Sequence, residues 1–364
     1  MGKGRQSNFE LLRILSMAFI ISFHYVLKGG FDFAVGGGTL TVNKFIWDIF
    51  YHFGELGVNC FILITGYFLP HSKFGPKKLV LLVCQTEFYL ILCRVILVLA
   101  RQAEWTSWTL KDYLFPILRP QYWFVSVYVL IYLLGPYLQK LVNAMSQKEF
   151  ARLLLVQLGV WSVYPTVIQG FLYQNGNTEA MTYYSRFVWL IVMTLVGAYI
   201  RLYGLPFLAN LKRSILCTVA SFGVIVLFVL GVEQGILTFP GIGPVYFWPP
   251  NAVLLVLLSV SFFGVFVHLP VPAVRWVNYA ASCTLGIYML HDGSLQAFWW
   301  RQVFRNATHQ NSRFFLIHIG IATGIIMLLG IGVDSGRKVL ERGISRLWDR
   351  LAADREGKVP SPRR

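Results

Sequence analysis

The chain has 364 residues, 56% of them hydrophobic and only 13% charged, with a mean hydropathy of +0.59. A soluble domain carries about 25% charged residues, so a water-soluble globular fold is excluded and the chain reads as an integral membrane protein. Its net charge of +16 does not signal nucleic-acid binding, because no soluble domain is present to display it.

Crossing a bilayer takes about 20 apolar residues, and ten stretches approach or exceed that length. They lie near 11–27, 46–69, 79–100, 122–142, 150–173, 185–203, 214–232, 246–268, 277–300 and 313–332. The fifth contains Pro165, the eighth opens with Pro249-Pro250 and the ninth is polar, so these three are the least regular. The expected fold is all-α: a polytopic membrane protein with about ten transmembrane helices over 1–332, followed by a basic cytoplasmic tail over 333–364. With the N-terminus inside and cations at the other span ends counted with the nearer face, inner segments hold 21 of the 32 Lys and Arg residues and outer segments 9, leaving Arg13 and Arg94 as intramembrane. This positive-inside bias assigns both termini to the cytoplasm. The first span runs on from Glu10 to Lys28-Gly29-Gly30 without a small-residue cleavage site, so it is expected to stay in place. The tail carries apolar residues at Val339, Leu340, Ile344, Leu347, Trp348 and Leu351, and is expected to lie along the inner surface.

The first span carries the most informative residues, Arg13 and His24. Charged and imidazole side chains in a lipid-spanning helix are costly and usually face a cavity where they work. Eleven residues bring the two to within about 20° around the helix and about 16 Å apart along it. Arg13 then sits near one membrane face and His24 deep inside, a geometry that suits a donor on one side and an acceptor on the other. The bland alternative is that Arg13 snorkels to the headgroups and His24 bonds a nearby carbonyl.

The second span places His52, Glu55 and Asn59 on one face. One His and one carboxylate make a thin metal set, so a hydrogen-bonded polar stripe is favoured, with Glu55 deep enough to orient the His24 ring. Before the third span stand His71, Lys73, Lys77 and Lys78, either membrane anchors or a docking patch for a phosphorylated ligand. Within that span Glu87 and Arg94 share a side and fit packing or substrate roles equally. The fourth span opens with Gln121-Tyr122-Trp123-Phe124, a composition that an interfacial aromatic belt also explains. The ninth holds His291 and Asp292, which either line the outer half of a cavity or cap the helix at the interface. Five cysteines, Cys60, Cys84, Cys93, Cys217 and Cys283, lie in spans without CxxC spacing and read as small buried hydrophobes. A P-loop, a dinucleotide glycine fingerprint, HExxH and GxSxG are all absent, so ATP hydrolysis, redox and serine-hydrolase chemistry have no visible equipment.

These residues resemble those of acyltransferase family 3, integral membrane enzymes that O-acylate glycans, lipid-linked sugars and antibiotics. Asn8-Phe9-Glu10-Leu11-Leu12-Arg13-Ile14-Leu15-Ser16 followed by His24 is similar to the family's Arg-x10-His pattern. Gly57-Val58-Asn59-Cys60-Phe61-Ile62-Leu63-Ile64-Thr65-Gly66-Tyr67 resembles a second family stretch. Tyr122-Trp123-Phe124 and Leu285-Gly286-Ile287-Tyr288-Met289-Leu290-His291 resemble two weaker ones, and the likeness spans roughly residues 5–335. Many members carry an Arg-x-x-Arg pair near the third helix, where this chain has only Lys73, Lys77 and Lys78.

The resemblance implies a multi-pass enzyme of the cell inner membrane that moves an acyl group, acetyl above all, from cytoplasmic acyl-CoA to a sugar hydroxyl. It implies acetyl-CoA as donor, no metal, a glycan or lipid-linked sugar as acceptor, and membrane lipids as surroundings. His24 would be the base or relay, with Arg13 and Glu55 completing the catalytic set. Arg13, Lys73, Lys77 and Lys78 would hold the donor, and Trp123, His291 and Asp292 the acceptor. The alternative class is a transporter or flippase for a glycan or small anion, using the same charges as substrate and proton sites. The inverted repeat expected of that class is not visible in the sequence.

Overall fold

A computed structural model describes residues 6–33, 40–104, 122–172 and 186–355, and among these every regular element is helical. The long helices are α1 (Ser7–Lys28), α2 (Val42–Phe68), α3 (Pro76–Leu99), α4 (Trp123–Ala144), α5 (Gln147–Leu158), α6 (Arg186–Tyr203) and α7 (Leu211–Glu233). After them come α8 (Val253–His268), the short α9 (Arg275–Ala281) and α10 (Thr284–His291), and the long α11 (Phe315–Arg355). The protein is thus an all-α polytopic membrane protein. Among the described residues eight helices are long and apolar enough to cross a membrane.

The two remaining spans take a different form, for local reasons. The expected helix at 246–268 begins only at Val253, because Pro240, Pro244, Pro249 and Pro250 lack the amide hydrogens a helix needs. At 16 residues α8 is about 24 Å long, short of the hydrocarbon thickness. The irregular stretch before it is tied to α5's continuation: Tyr246 donates to the Thr166 carbonyl (2.7 Å) and Asn251 to the Trp161 carbonyl (2.8 Å). Non-helical backbone at membrane depth needs such protein partners. The expected helix at 277–300 is broken after His291, where Asp292 is extended and Gly293 takes φ +65°, a left-handed conformation open to glycine. Within the fifth span, α5 widens into π-helical turns over Gly159–Leu172 around Pro165.

The helix α2 is central, flanked by α1 on one side and α6 and α8 on others. Its glycines make this possible. A Cβ at Gly57 would stand 2.5 Å from the Ser16 carbonyl oxygen of α1, and one at Gly66 would run into the Thr194 backbone of α6. The expected boundary at residue 332 falls inside α11, which has 41 residues and continues without a break. Just beyond that boundary, Asp334 is fully buried, accepting from Tyr89 (3.0 Å) and pairing with Arg337 (2.6 Å). The first turns of the expected tail therefore belong to the packed bundle.

Candidate active site

A cavity of about 400 Å³ lies among α1, α2, α3, α4, α6 and the broken segment after α10. Both Arg13 and His24 line it, as the shared face of α1 requires.

Towards the Arg13 end the wall includes Met17, Thr65, Leu82 and Tyr128. The Arg13 guanidinium approaches Glu10 at 3.8 Å, a loose ion pair, and its Nε is buried with no hydrogen-bond partner among the described residues. Such a group is left with donors to offer a ligand. None of Lys73, Lys77 and Lys78 reaches the cavity wall. Lys73 and Lys78 are exposed and Lys77 is half-buried, with Lys78 one helical turn before the wall residue Leu82.

Around His24 the wall changes character. The His24 ring faces His291, with Nδ1 and Nε2 3.0 Å apart. Glu55, expected to orient that ring, instead pairs with Arg186 at 3.1 Å, because Arg186 opens α6 directly opposite on the cavity wall. The Arg186 guanidinium also stands 4.4 Å over the Trp123 ring, a cation–π contact. Asp292 is buried, lines the cavity and accepts from Gln296, whereas His291 is wholly buried behind the wall. Trp123, Asp292 and Glu55 thus meet at one cavity, and His291 stands behind it against the wall residues His24 and Tyr288.

Other expected polar residues have structural partners. Asn59 accepts from Trp189 (3.1 Å) and donates to the Pro250 carbonyl (2.8 Å) and Ser259 (3.1 Å), joining four segments. His52 is anchored through Nδ1 to the Asp48 carbonyl (2.9 Å). Arg94 donates to the Glu104 carbonyl, and neither it nor Glu87 lines the cavity. All five cysteines are free. The Tyr122 hydroxyl donates to the Met289 carbonyl (2.9 Å), which docks the start of α4 on α10 and brings Trp123 and Phe124 to the wall. Gln121 lies outside the described residues.

Arg186, Trp248, Tyr288, Gln296 and Lys28 also line the cavity, and the sequence alone assigns none of them a site role. For Arg186 a signal existed, a cation at the mouth of an apolar span; for Trp248 the signal was the proline-rich break that carries it.

No curated protein and no solved structure is detectably similar to the chain. A family model described as an acyltransferase domain matches residues 6–332, a stretch that contains every residue of this cavity. The chain belongs to acyltransferase family 3, and is a membrane acyltransferase.

Proposed function

We propose that the protein transfers an acetyl group from cytoplasmic acetyl-CoA to a hydroxyl of a cell-surface glycan or lipid-linked sugar, in the inner membrane of a bacterium. The observation that carries this reading is that Arg13 and His24 line one cavity, with an unsatisfied guanidinium nitrogen, Arg13 Nε, at one end and an imidazole at the other. The acceptor hydroxyl gives its proton to His24, its oxygen attacks the thioester carbonyl, the carbon–sulfur bond breaks, and the departing sulfur takes the proton back. General-base help of this kind contributes about 10²–10⁴-fold. Arg13 holds phosphate or carbonyl charge on the donor with its planar fork, and Lys73, Lys77 and Lys78 meet the remaining phosphates at the inner surface. Trp123 offers an aromatic face to the sugar, and Asp292 with Gln296 accept from or donate to its hydroxyls. Glu55 keeps Arg186 in place over Trp123. Both termini lie in the cytoplasm on this reading, which sets the Arg13 end towards acyl-CoA.

Purified protein in detergent, given acetyl-CoA labelled in the acetyl group together with a glycan or lipid-linked sugar fraction, should consume the thioester and label the acceptor. Inertness towards every acceptor, with the protein folded, would defeat the reading.

A further inference from the structure

The hydrogen bonds behind His24 settle where its protons sit. In α10, His291 Nδ1 lies 2.7 Å from the carbonyl oxygen of Ile287, one turn earlier. A carbonyl oxygen only accepts, so His291 Nδ1 carries a hydrogen and donates it. In a neutral imidazole the second nitrogen is then an acceptor, and that atom, Nε2, is the one that faces His24 Nδ1 at 3.0 Å. His24 Nδ1 must therefore carry a hydrogen and donate it to His291. What remains is His24 Nε2, a bare lone pair on the ring that lines the cavity, with no hydrogen-bond partner among the described residues.

The surroundings hold this chain in one sense. His291 is wholly buried, edge-on to Trp300 (6.3 Å) and Tyr288 (6.2 Å), and takes no part in the cavity wall. A second proton on it would bury a cation away from water, a cost the neutral chain avoids.

We infer that His291 is a positioning residue that fixes the tautomer and orientation of His24, so that the nitrogen presented to the acceptor hydroxyl is always the basic one. The inference rests on the acyl-transfer reading above. During transfer the hydroxyl proton moves to His24 Nε2, and the bond from His24 Nδ1 to His291 becomes charge-assisted and stronger. The proton cannot pass beyond His291, whose far nitrogen donates to a carbonyl that cannot take it, and resting it on His291 would leave a cation buried away from water. It returns from Nε2 to the departing sulfur, and the histidine pair ends as it began. Without His291, the freed His24 ring would also populate the form with hydrogen on Nε2, which cannot accept.

The test uses full-length protein in lipid nanodiscs, with acetyl-CoA and the acceptor fraction as probes. His291→Leu should lower kcat about 10²-fold, the size of effect seen when a supporting hydrogen bond to a working histidine is lost, with KM for both substrates unchanged. His291→Gln, whose amide oxygen can accept from His24 Nδ1, should recover much of that loss. His291→Met, close to glutamine in length and volume but with no oxygen to accept from His24 Nδ1, should stay as impaired as His291→Leu, so recovery by glutamine alone separates the hydrogen bond from packing. Should His291→Leu fail to fold, His291→Gln alone decides: substantial activity supports the inference, and a folded but inactive protein overturns it. It is also overturned if His24→Ala is silent while His291→Leu keeps the wild-type kcat, or if KM for the acceptor rises with kcat intact, which would make His291 a binding residue. Wild-type protein that never turns over the thioester would defeat the acyl-transfer reading itself, a separate failure.

Discussion

Glu55 and Arg186 form an ion pair across the cavity wall, 3.1 Å apart, with the carboxylate side chain 4% exposed and the guanidinium 39% exposed. One Glu55 oxygen, Oε2, has no hydrogen-bond partner among the described residues. The pair joins α2 to the first residue of α6 and holds a cation over Trp123.

Removing only the cation should therefore hurt more than removing both charges. Arg186→Met leaves a buried carboxylate unmatched, which we expect to cost about 1–3 kcal/mol, between the values for exposed and fully buried pairs because Arg186 is partly hydrated. The double variant Glu55→Gln/Arg186→Met should regain most of that stability while acceptor binding stays impaired. Thermal unfolding in detergent together with acceptor KM checks both halves.

The two glycines of the second motif make a packing prediction. Alanine at Gly66 would collide with the Thr194 backbone and alanine at Gly57 with the Ser16 carbonyl, so each should cost about 1–3 kcal/mol through overpacking. Gly336, in α11, has open space around its would-be Cβ. Alanine there should be neutral or stabilising by up to about 1 kcal/mol through helix propensity. Equal melting temperatures for all three variants would contradict the close helix packing.

Much of this architecture is legible in the sequence, and the parts that are not share a cause. Hydropathy marks the spans that form regular helices, and the 3.6-residue period puts Arg13 and His24 on one cavity. Gly57 and Gly66 read as a motif, and their close helix contacts supply its physical meaning. Composition marks 246–268 and 277–300 as the less regular spans but does not reveal how they are interrupted: prolines break the first and Gly293 the second, and the breaks turn Trp248 and Gln296 to the cavity. Partner choice across helices is equally hidden. Glu55 shares no sequence neighbourhood with Arg186, nor His24 with His291, 267 residues away; only the packing of α2 on α6 and of α1 on α10 joins them.

Arg13 should tolerate no substitute. Lysine keeps the charge but not the planar fork, so Arg13→Lys should be badly impaired and Arg13→Ala inactive, each with acetyl-CoA binding lost by isothermal titration. Normal donor affinity in Arg13→Ala would assign the residue a structural part.

Orientation can be read by labelling. In a cysteine-free background, Thr308→Cys, on an exposed turn expected outside, should react with an impermeant maleimide in intact cells, and Gln147→Cys, at the exposed start of α5 and expected inside, only after lysis. The opposite pattern would turn the protein over and set Arg13 away from cytoplasmic acyl-CoA.

On the proposed reading, His24 performs the proton transfer in acetyl transfer. Its most direct test is the acetyl content of the surface glycan in cells whose only copy of the protein carries His24→Ala, with insertion and expression verified. Acetylation should fall about 10²-fold or more, the typical loss of a general base. A glycan that remains fully acetylated would contradict it.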